Sequence, residues 1–278
     1  MGITPVLHVN PDDFAQEELA SAGRILREGG LVVFPTETVY GLGANALSPE
    51  AARAIYTAKG RPSDNPLIVH LPDLSQLDLL CRDIPRQAYD LFAAFSPGPL
   101  TVILNKQPQV PGVVSGGLDT VAVRIPSHPV AAALLREAAV PVAAPSANRS
   151  GRPSPTRLAH ALEDLDGRVD LMIDGGDCGV GLESTVVSLA GELPVLLRPG
   201  GISLEMLRSV LGEVRVDDAV SHQLAEGQRP MAPGMKYRHY APAAPLTLAQ
   251  GSPADIKANP TVIEAYLGKK GAKDDAEG

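Results

Sequence analysis

The sequence predicts an α/β or α+β domain over roughly the first 215 of its 278 residues. Three observations predict it. Short apolar runs bounded by Gly or Pro alternate with amphipathic stretches of helical period. Hydrophobic residues make up 44% and charged residues 20% of the chain, enough to build a core. The 26 prolines set turns at many places and argue against a long helical bundle.

The first helix is expected over 17–28, where Leu19, Ala22, Ile25 and Leu26 share one face and Gly29-Gly30 ends it. A strand at 31–34 follows. Ser48-Pro49-Glu50 supplies a cap, a first-position proline and a first-turn acid for a second helix. That helix turns Ala52, Ile55 and Tyr56 inward and stops near Lys59-Gly60. Further strands are expected at 67–70, 100–104, 121–125, 140–143, 171–174 and 184–189, and helices at 85–94, 128–138 and 156–165. After Val216 the character changes. Residues 217–245, ending in Pro, Tyr and basic residues, read as an extended linker. Residues 246–278 read as a short tail with one helix at 260–267, too little for an independent core. The expected organisation is a domain at 1–216, a linker at 217–245 and a tail at 246–278.

Net charge is −8, from 24 basic and 32 acidic residues, the wrong balance for coating a duplex. Basic residues gather locally instead: Lys59 with Arg61, then Arg149, Arg152 and Arg157, then Lys236, Arg238 and His239. Such clusters in an acidic protein suit a small anionic ligand. Only Cys81 and Cys178 are present, without metal-ligand spacing, so a disulfide scaffold and a zinc site are set aside and a reducing compartment is expected. Residues 1–14 include Asp12 and Asp13 and lack an apolar stretch after a basic start, unlike a signal peptide. The longest apolar stretch, 130–145, is broken by Arg136, Glu137 and Pro141. A cytoplasmic protein is expected.

No Walker loop occurs. Gly41-Leu42-Gly43-Ala44-Asn45-Ala46 matches the permissive dinucleotide pattern, with Asp64 about twenty residues on, but its glycines do not open a helix and a tight turn is the expected role. Lys59-Gly60-Arg61-Pro62 places two cations on a turned backbone. They either grip a phosphate chain or merely face a helix end and solvent. Ser146 and Asn148 sit on a loop after a strand, as ligand contacts or as a self-capping turn. Arg124 ends an apolar run, as an edge-strand surface residue or a partly buried carboxylate binder. His70 is either a satisfied core residue or a ligand. A GxSxG elbow and an HExxH motif are both missing, so positioned cations and hydroxyls are expected to do the chemistry.

Four segments in order resemble the YrdC-like L-threonylcarbamoyladenylate synthase family: Phe34-Pro35-Thr36-Glu37-Thr38-Val39-Tyr40-Gly41-Leu42-Gly43; Lys59-Gly60-Arg61-Pro62 with Asn65-Pro66-Leu67-Ile68-Val69-His70; Ser96-Pro97-Gly98-Pro99-Leu100-Thr101; and Ala144-Pro145-Ser146-Ala147-Asn148. Residues 233–242 look like the linker of its two-domain members. The resemblance implies a twisted mixed α/β sheet with flanking helices enclosing a large basic cavity. It implies condensation of L-threonine, bicarbonate or CO2, and ATP to threonylcarbamoyl-AMP and pyrophosphate, feeding threonylcarbamoyladenosine formation in tRNA by a downstream transferase complex. It also implies roles for single residues. Lys59, Arg61, Ser146 and Asn148 would surround the ATP phosphates, with Mg2+ arriving on ATP and no metal ligated directly by the protein. Asn65, Thr120, Ser154 and Arg198 would contact the nucleotide, and Lys236, Tyr237 and Tyr240 would close over it. Thr38, His70, Arg124 and Ser184 would hold threonine, with Arg124 on its carboxylate.

The tail at 251–268 resembles the C-terminus of branched-chain amino-acid transporter ATPases, as if a second domain had been replaced. An RNA-binding module using Arg149, Arg152, Arg157 and the linker bases is the other function class. The acidity and the 4% aromatic content weigh against it. A carbamoyl-transfer role as in hydrogenase maturation lacks the further domains of such relatives.

Overall fold

The computed structural model describes residues 2–220 and, further on, Ser252, Asp255, Ile256, Asn259 and Val262. The chain divides into two compact units, Met1–His239 and Tyr240–Gly278. In the second, Ser252 and Asp255 cap one another across a turn, Asp255 N–H donating to Ser252 Oγ at 3.3 Å and Ser252 N–H to Asp255 Oδ2 at 3.0 Å.

The first unit is a mixed α/β fold. In chain order its elements are β1 (Val6–His8), α1 (Ala20–Arg27), β2 (Val32–Phe34), β3 (Gly41–Asn45), α2 (Pro49–Lys59), β4 (Ile68–His70), α3 (Leu77–Leu80), α4 (Arg86–Phe95), β5 (Leu100–Asn105), α5 (Gly112–Ser115), β6 (Thr120–Arg124), α6 (Pro129–Ala138), β7 (Val142–Ala143), α7 (Leu158–Leu165), β8 (Leu171–Asp174), β9 (Thr185–Ser188), β10 (Val195–Arg198), α8 (Leu204–Leu211) and β11 (Arg215–Val216). The strands form one sheet in the order β1-β8-β2-β3-β7-β4-β6-β5-β9-β10-β11. Parallel pairs such as β4–β6 and antiparallel pairs such as β5–β6 both occur.

Within residues 2–220 the expected helices and strands are present with their ends shifted by a few residues; apart from Val262, the helix expected at 260–267 lies outside the described residues. Helix α2 starts as its sequence dictates: Ser48 Oγ accepts from Ala51 N–H, Pro49 is the first helical residue, and Gly60 ends it in the left-handed region at φ 60°. One expectation fails. The glycines of 41–45 form strand β3, not a tight turn. Their smallness has a packing cause: a Cβ on Gly43 would lie 2.9 Å from Phe34 Cε1 and 2.9 Å from Val142 Cγ1. Strands β1, β3, β10 and β11 and helices α3, α5 and α8 go beyond the expected elements.

Side-chain alternation gives the sheet two faces. One face, with Val33, Leu42, Ala44, Val69, Val123, Val102 and Val187, packs into the larger core with α2, α4 and α8. On the other face α1 and α6 cover Val32, Phe34, Val142, Leu171 and Ile173. Beyond β7 that second face carries only a small cluster, Ile68, Ala122, Ile103, Val186 and Leu197. The polar residues of interest lie beside this cluster.

Candidate active site

The register across the middle strands sets up a row. His70 on β4 pairs with Arg124 on β6, and Arg124 pairs with Thr101 on β5. All three therefore share the face that carries Ile68 and Ala122. Arg124 lies on an interior strand, so the sequence alternative of an edge-strand surface residue falls away. It is buried, and its Nη2 donates to Glu37 Oε1 at 2.7 Å. A guanidinium there needs a carboxylate partner, because an unpaired buried charge is costly.

His70 is buried, and burial first, then the nearby Arg124 charge, pushes its pKa down to about 3. It is neutral at physiological pH. Its Nδ1 lies 3.3 Å from the Ile68 carbonyl, and the edge of the Phe34 ring meets it at a centroid distance of 6.2 Å. Phe34 reaches that position across β3, over the glycines.

Four loops complete a recess on this face. Its lining includes Thr36, Thr38, His70, Arg124, Ser184, Arg61, Ser146, Glu183 and Arg198. Thr36 and Thr38 stand 2.9 Å apart through their hydroxyls, and Thr36 Oγ1 donates to the Val39 carbonyl. The hydroxyls of Ser184 and Thr101 are 2.7 Å apart, and Arg198 Nε donates to the Ser184 carbonyl at 3.0 Å. Arg61 Nη2 donates to the Pro66 carbonyl at 3.1 Å. Each arginine is thus held by protein oxygens, and the recess between them has a volume near 60 Å3. That is below the roughly 300–1,000 Å3 common for small-molecule sites. This recess is smaller than the large basic cavity expected.

All four residues expected to hold threonine, Thr38, His70, Arg124 and Ser184, line this one recess, together with Arg61, Ser146 and Arg198 from the nucleotide set. Others stand behind it. Lys59 is buried, with its Nζ donating to the main-chain carbonyls of Ser146 and Asn148. Burial first and Arg61 second hold its pKa well below the usual lysine range. Asn148 is also buried; its Oδ1 accepts from Ser146 Oγ at 2.5 Å and its amide donates to the Arg149 and Arg152 carbonyls. Ser154 reaches the recess through Glu183, donating to its Oε1 at 2.6 Å. Asn65 is buried, and its main-chain carbonyl accepts from Tyr56 at 3.0 Å. Thr120 sits at the far end of β6 from Arg124, opposite Asn105. Neither Asn65 nor Thr120 lines the recess. Tyr240, Lys236 and Tyr237 lie outside the described residues.

Sequence reasoning did not single out Thr36, Glu37 or Glu183. Thr36 and Glu37 belong to the segment on which the resemblance rests, whereas Glu183 precedes Ser184 with no pattern to mark it. Among the described residues no group of three or more His, Cys, Asp or Glu is placed to hold a metal ion, and no helix is long and apolar enough to cross a membrane. Two arginines of the basic cluster proposed for RNA are already paired: Arg152 with Asp164, and Arg157 with Asp177 at 3.0 Å.

Two family models match the chain. Sua5–YciO–YrdC, described as telomere recombination, covers residues 24–200, and the threonylcarbamoyl-AMP synthase C-terminal domain covers 202–276. The stretch likened to a transporter ATPase tail thus falls inside the second match. A threonylcarbamoyl-AMP synthase of Bacillus subtilis is 54% identical over 241 residues, 86% of this chain and 69% of the relative. One from Pyrococcus abyssi is 49% identical, covering 91% of this chain and 74% of the relative. A crystal structure of P. abyssi Sua5 complexed with L-threonine superimposes with a TM-score of 0.87 at 46% identity, over 97% of this chain and 77% of that one. Escherichia coli YciO superimposes at 0.66 with 27% identity, over 74% of this chain and all of its own.

Proposed function

From the premise that this chain belongs to the Sua5–YciO–YrdC family, we propose that the recess beside His70 and Arg124 is where its reaction takes place. The chain is an enzyme of the threonylcarbamoyl-AMP synthase type. It condenses L-threonine, bicarbonate or CO2, and ATP to threonylcarbamoyl-AMP and pyrophosphate, for threonylcarbamoyladenosine formation in tRNA.

The observation that supports this location is the convergence of Thr38, His70, Arg124 and Ser184, with Arg61 and Arg198, on one recess. Arg124 takes the threonine carboxylate, a task suited to a planar guanidinium. Neutral His70 with Thr38 and Ser184 offers hydrogen bonds without adding charge. The neutral threonine amine adds to CO2 with loss of a proton to solvent, or displaces water from bicarbonate, to give a carbamate. A carbamate oxygen then bonds to the α-phosphorus as the bond to pyrophosphate breaks, in line. Little covalent work falls to the protein, so alignment and charge neutralisation dominate. Arg61 and Arg198 turn from their present carbonyl partners to the phosphates. Lys59 and Asn148 act one layer back, fixing the loop that presents Ser146. Asn65, Thr120 and Ser154 keep nucleotide roles in this proposal, and Lys236, Tyr237 and Tyr240 the closing role.

An ATP-using synthase calls for a metal ion. We take it as Mg2+ travelling with ATP, where it neutralises phosphate charge. Residues 1–216 form the catalytic domain in this reading, followed by the linker and tail. A cytoplasmic location, with use of the product by a downstream threonylcarbamoyl transferase complex, completes it. The internal pairing of Arg152 and Arg157 favours small substrates over RNA as the ligands of the basic loops. The test is pyrophosphate release from ATP with each substrate left out in turn. Release should need both threonine and bicarbonate; release that is unchanged without threonine ends the proposal.

A further inference from the structure

Glu37 has no role in the reaction as set out above, yet it is the only carboxylate ion-paired with Arg124 among the described residues. It lies on the loop between β2 and β3, and that loop is fixed at both levels. The Glu37 carbonyl accepts from Val180 N–H at 2.7 Å, and its side-chain Oε2 accepts from Ser127 N–H at 3.1 Å. The remaining oxygen, Oε1, takes Arg124 Nη2 at 2.7 Å. Side-chain exposure is 5% for Arg124 and 12% for Glu37, so both charges are largely out of water.

The pairing uses only part of the guanidinium. Arg124 Nε is buried without a hydrogen-bond partner, although buried donors are rarely left so. An arginine presents five N–H donors in a fixed plane. Pinning Nη2 on one side sets the direction of the rest, and Arg124 lines the recess. We propose that Glu37 is a positioning residue for threonine recognition: through Oε1 it holds Arg124 in the orientation in which its unused donors receive the threonine carboxylate. This rests on the reading of the recess as the threonine site. Glu37 also compensates the buried guanidinium before the amino acid arrives. Without Glu37, Arg124 would turn toward water or another acceptor, and the carboxylate site would have to be rebuilt at each binding event.

The test measures KM for threonine and for ATP, separately, in the pyrophosphate-release assay on the full chain. E37A is expected to raise the threonine KM tenfold or more while the ATP KM stays within twofold. E37Q keeps an oxygen that can accept from Arg124 but loses the charge, so its threonine KM should lie between wild type and E37A, at least threefold above wild type. A threonine KM within twofold of wild type in E37A overturns the proposal, as does an equal rise in both KM values, the mark of a general structural role. Should E37A fail to fold, E37Q decides alone on the same twofold limit. Wild-type turnover that ignores threonine removes the underlying reading and this proposal with it, an outcome distinct from a threonine-dependent enzyme indifferent to Glu37.

Discussion

Replacing Lys59 by methionine separates a loop-fixing role from a purely phosphate-binding one. Methionine retains most of the apolar stem and removes the ammonium that joins the Ser146 and Asn148 carbonyls. Each buried acceptor left without a donor costs about 1–3 kcal/mol, so the gross loss is about 2–6 kcal/mol. Part is offset, because the variant no longer buries a cation whose desolvation already drives its pKa down. A net loss of about 2 kcal/mol is expected, and at about 2–4 °C per kcal/mol for a domain of this size Tm should fall roughly 4–8 °C. Activity should fall by about 10²-fold, because the loop that presents Ser146 is no longer held and a misplacement of about 1 Å costs that much. Thermal unfolding followed by circular dichroism, alongside pyrophosphate release, reads both. A surface phosphate ligand would lose activity and leave Tm within about 1 °C of wild type, under the smallest shift expected here. That result would refute the loop-fixing role.

Two other perturbations test the walls of the recess. Gly43→Ala pushes a methyl to within 2.9 Å of Phe34 and Val142, both fully buried, and should destabilise by about 1–3 kcal/mol in urea titration. Gly41→Ala meets nothing closer than 3.4 Å and should unfold at nearly the wild-type urea concentration; equal losses in the two variants would contradict the packing of Phe34 across β3. His70, with its folded pKa near 3 against 6.5 unfolded, stays neutral in the folded chain while the unfolded chain takes up a proton. Stability is therefore lost as pH falls from 6.5 toward 3, at up to about 1.4 kcal/mol per pH unit. The urea stability of wild type should fall more steeply than that of His70→Gln between pH 6 and pH 4, whereas parallel curves would place His70 in water.

Local chemistry made much of this fold readable. Helix α2 follows from Ser48, Pro49 and Gly60 because caps and termination act within a few residues. The apolar strand cores at 68–70, 121–124 and 171–174 stand out for the same reason. Strand β3 does not, because its glycines answer to Phe34 and Val142, contacts visible only once the sheet is formed. Helix α8 did leave a signal, Ser203 as cap before Leu204, Leu207 and Leu211, accepting from Met206 N–H at 3.3 Å. The residues proposed to hold threonine are marked by the family motif, since composition and spacing leave His70 and Arg124 ambiguous. Their shared face depends on the β4–β6 register, and no local pattern encodes it. Lys59 shows the converse: its charge was evident from the sequence, but its direction, inward to two carbonyls, depends on the loop after β7.

The most direct measurement is mass-spectrometric detection of threonylcarbamoyl-AMP after incubating the protein with L-threonine, bicarbonate and Mg-ATP, for wild type and Arg124→Ala side by side. Wild type should yield the adduct, with its amount falling to background when threonine is withheld, and Arg124→Ala should yield little at threonine concentrations that saturate wild type. No adduct from wild type, or equal adduct from both proteins, would contradict the assignment of this recess.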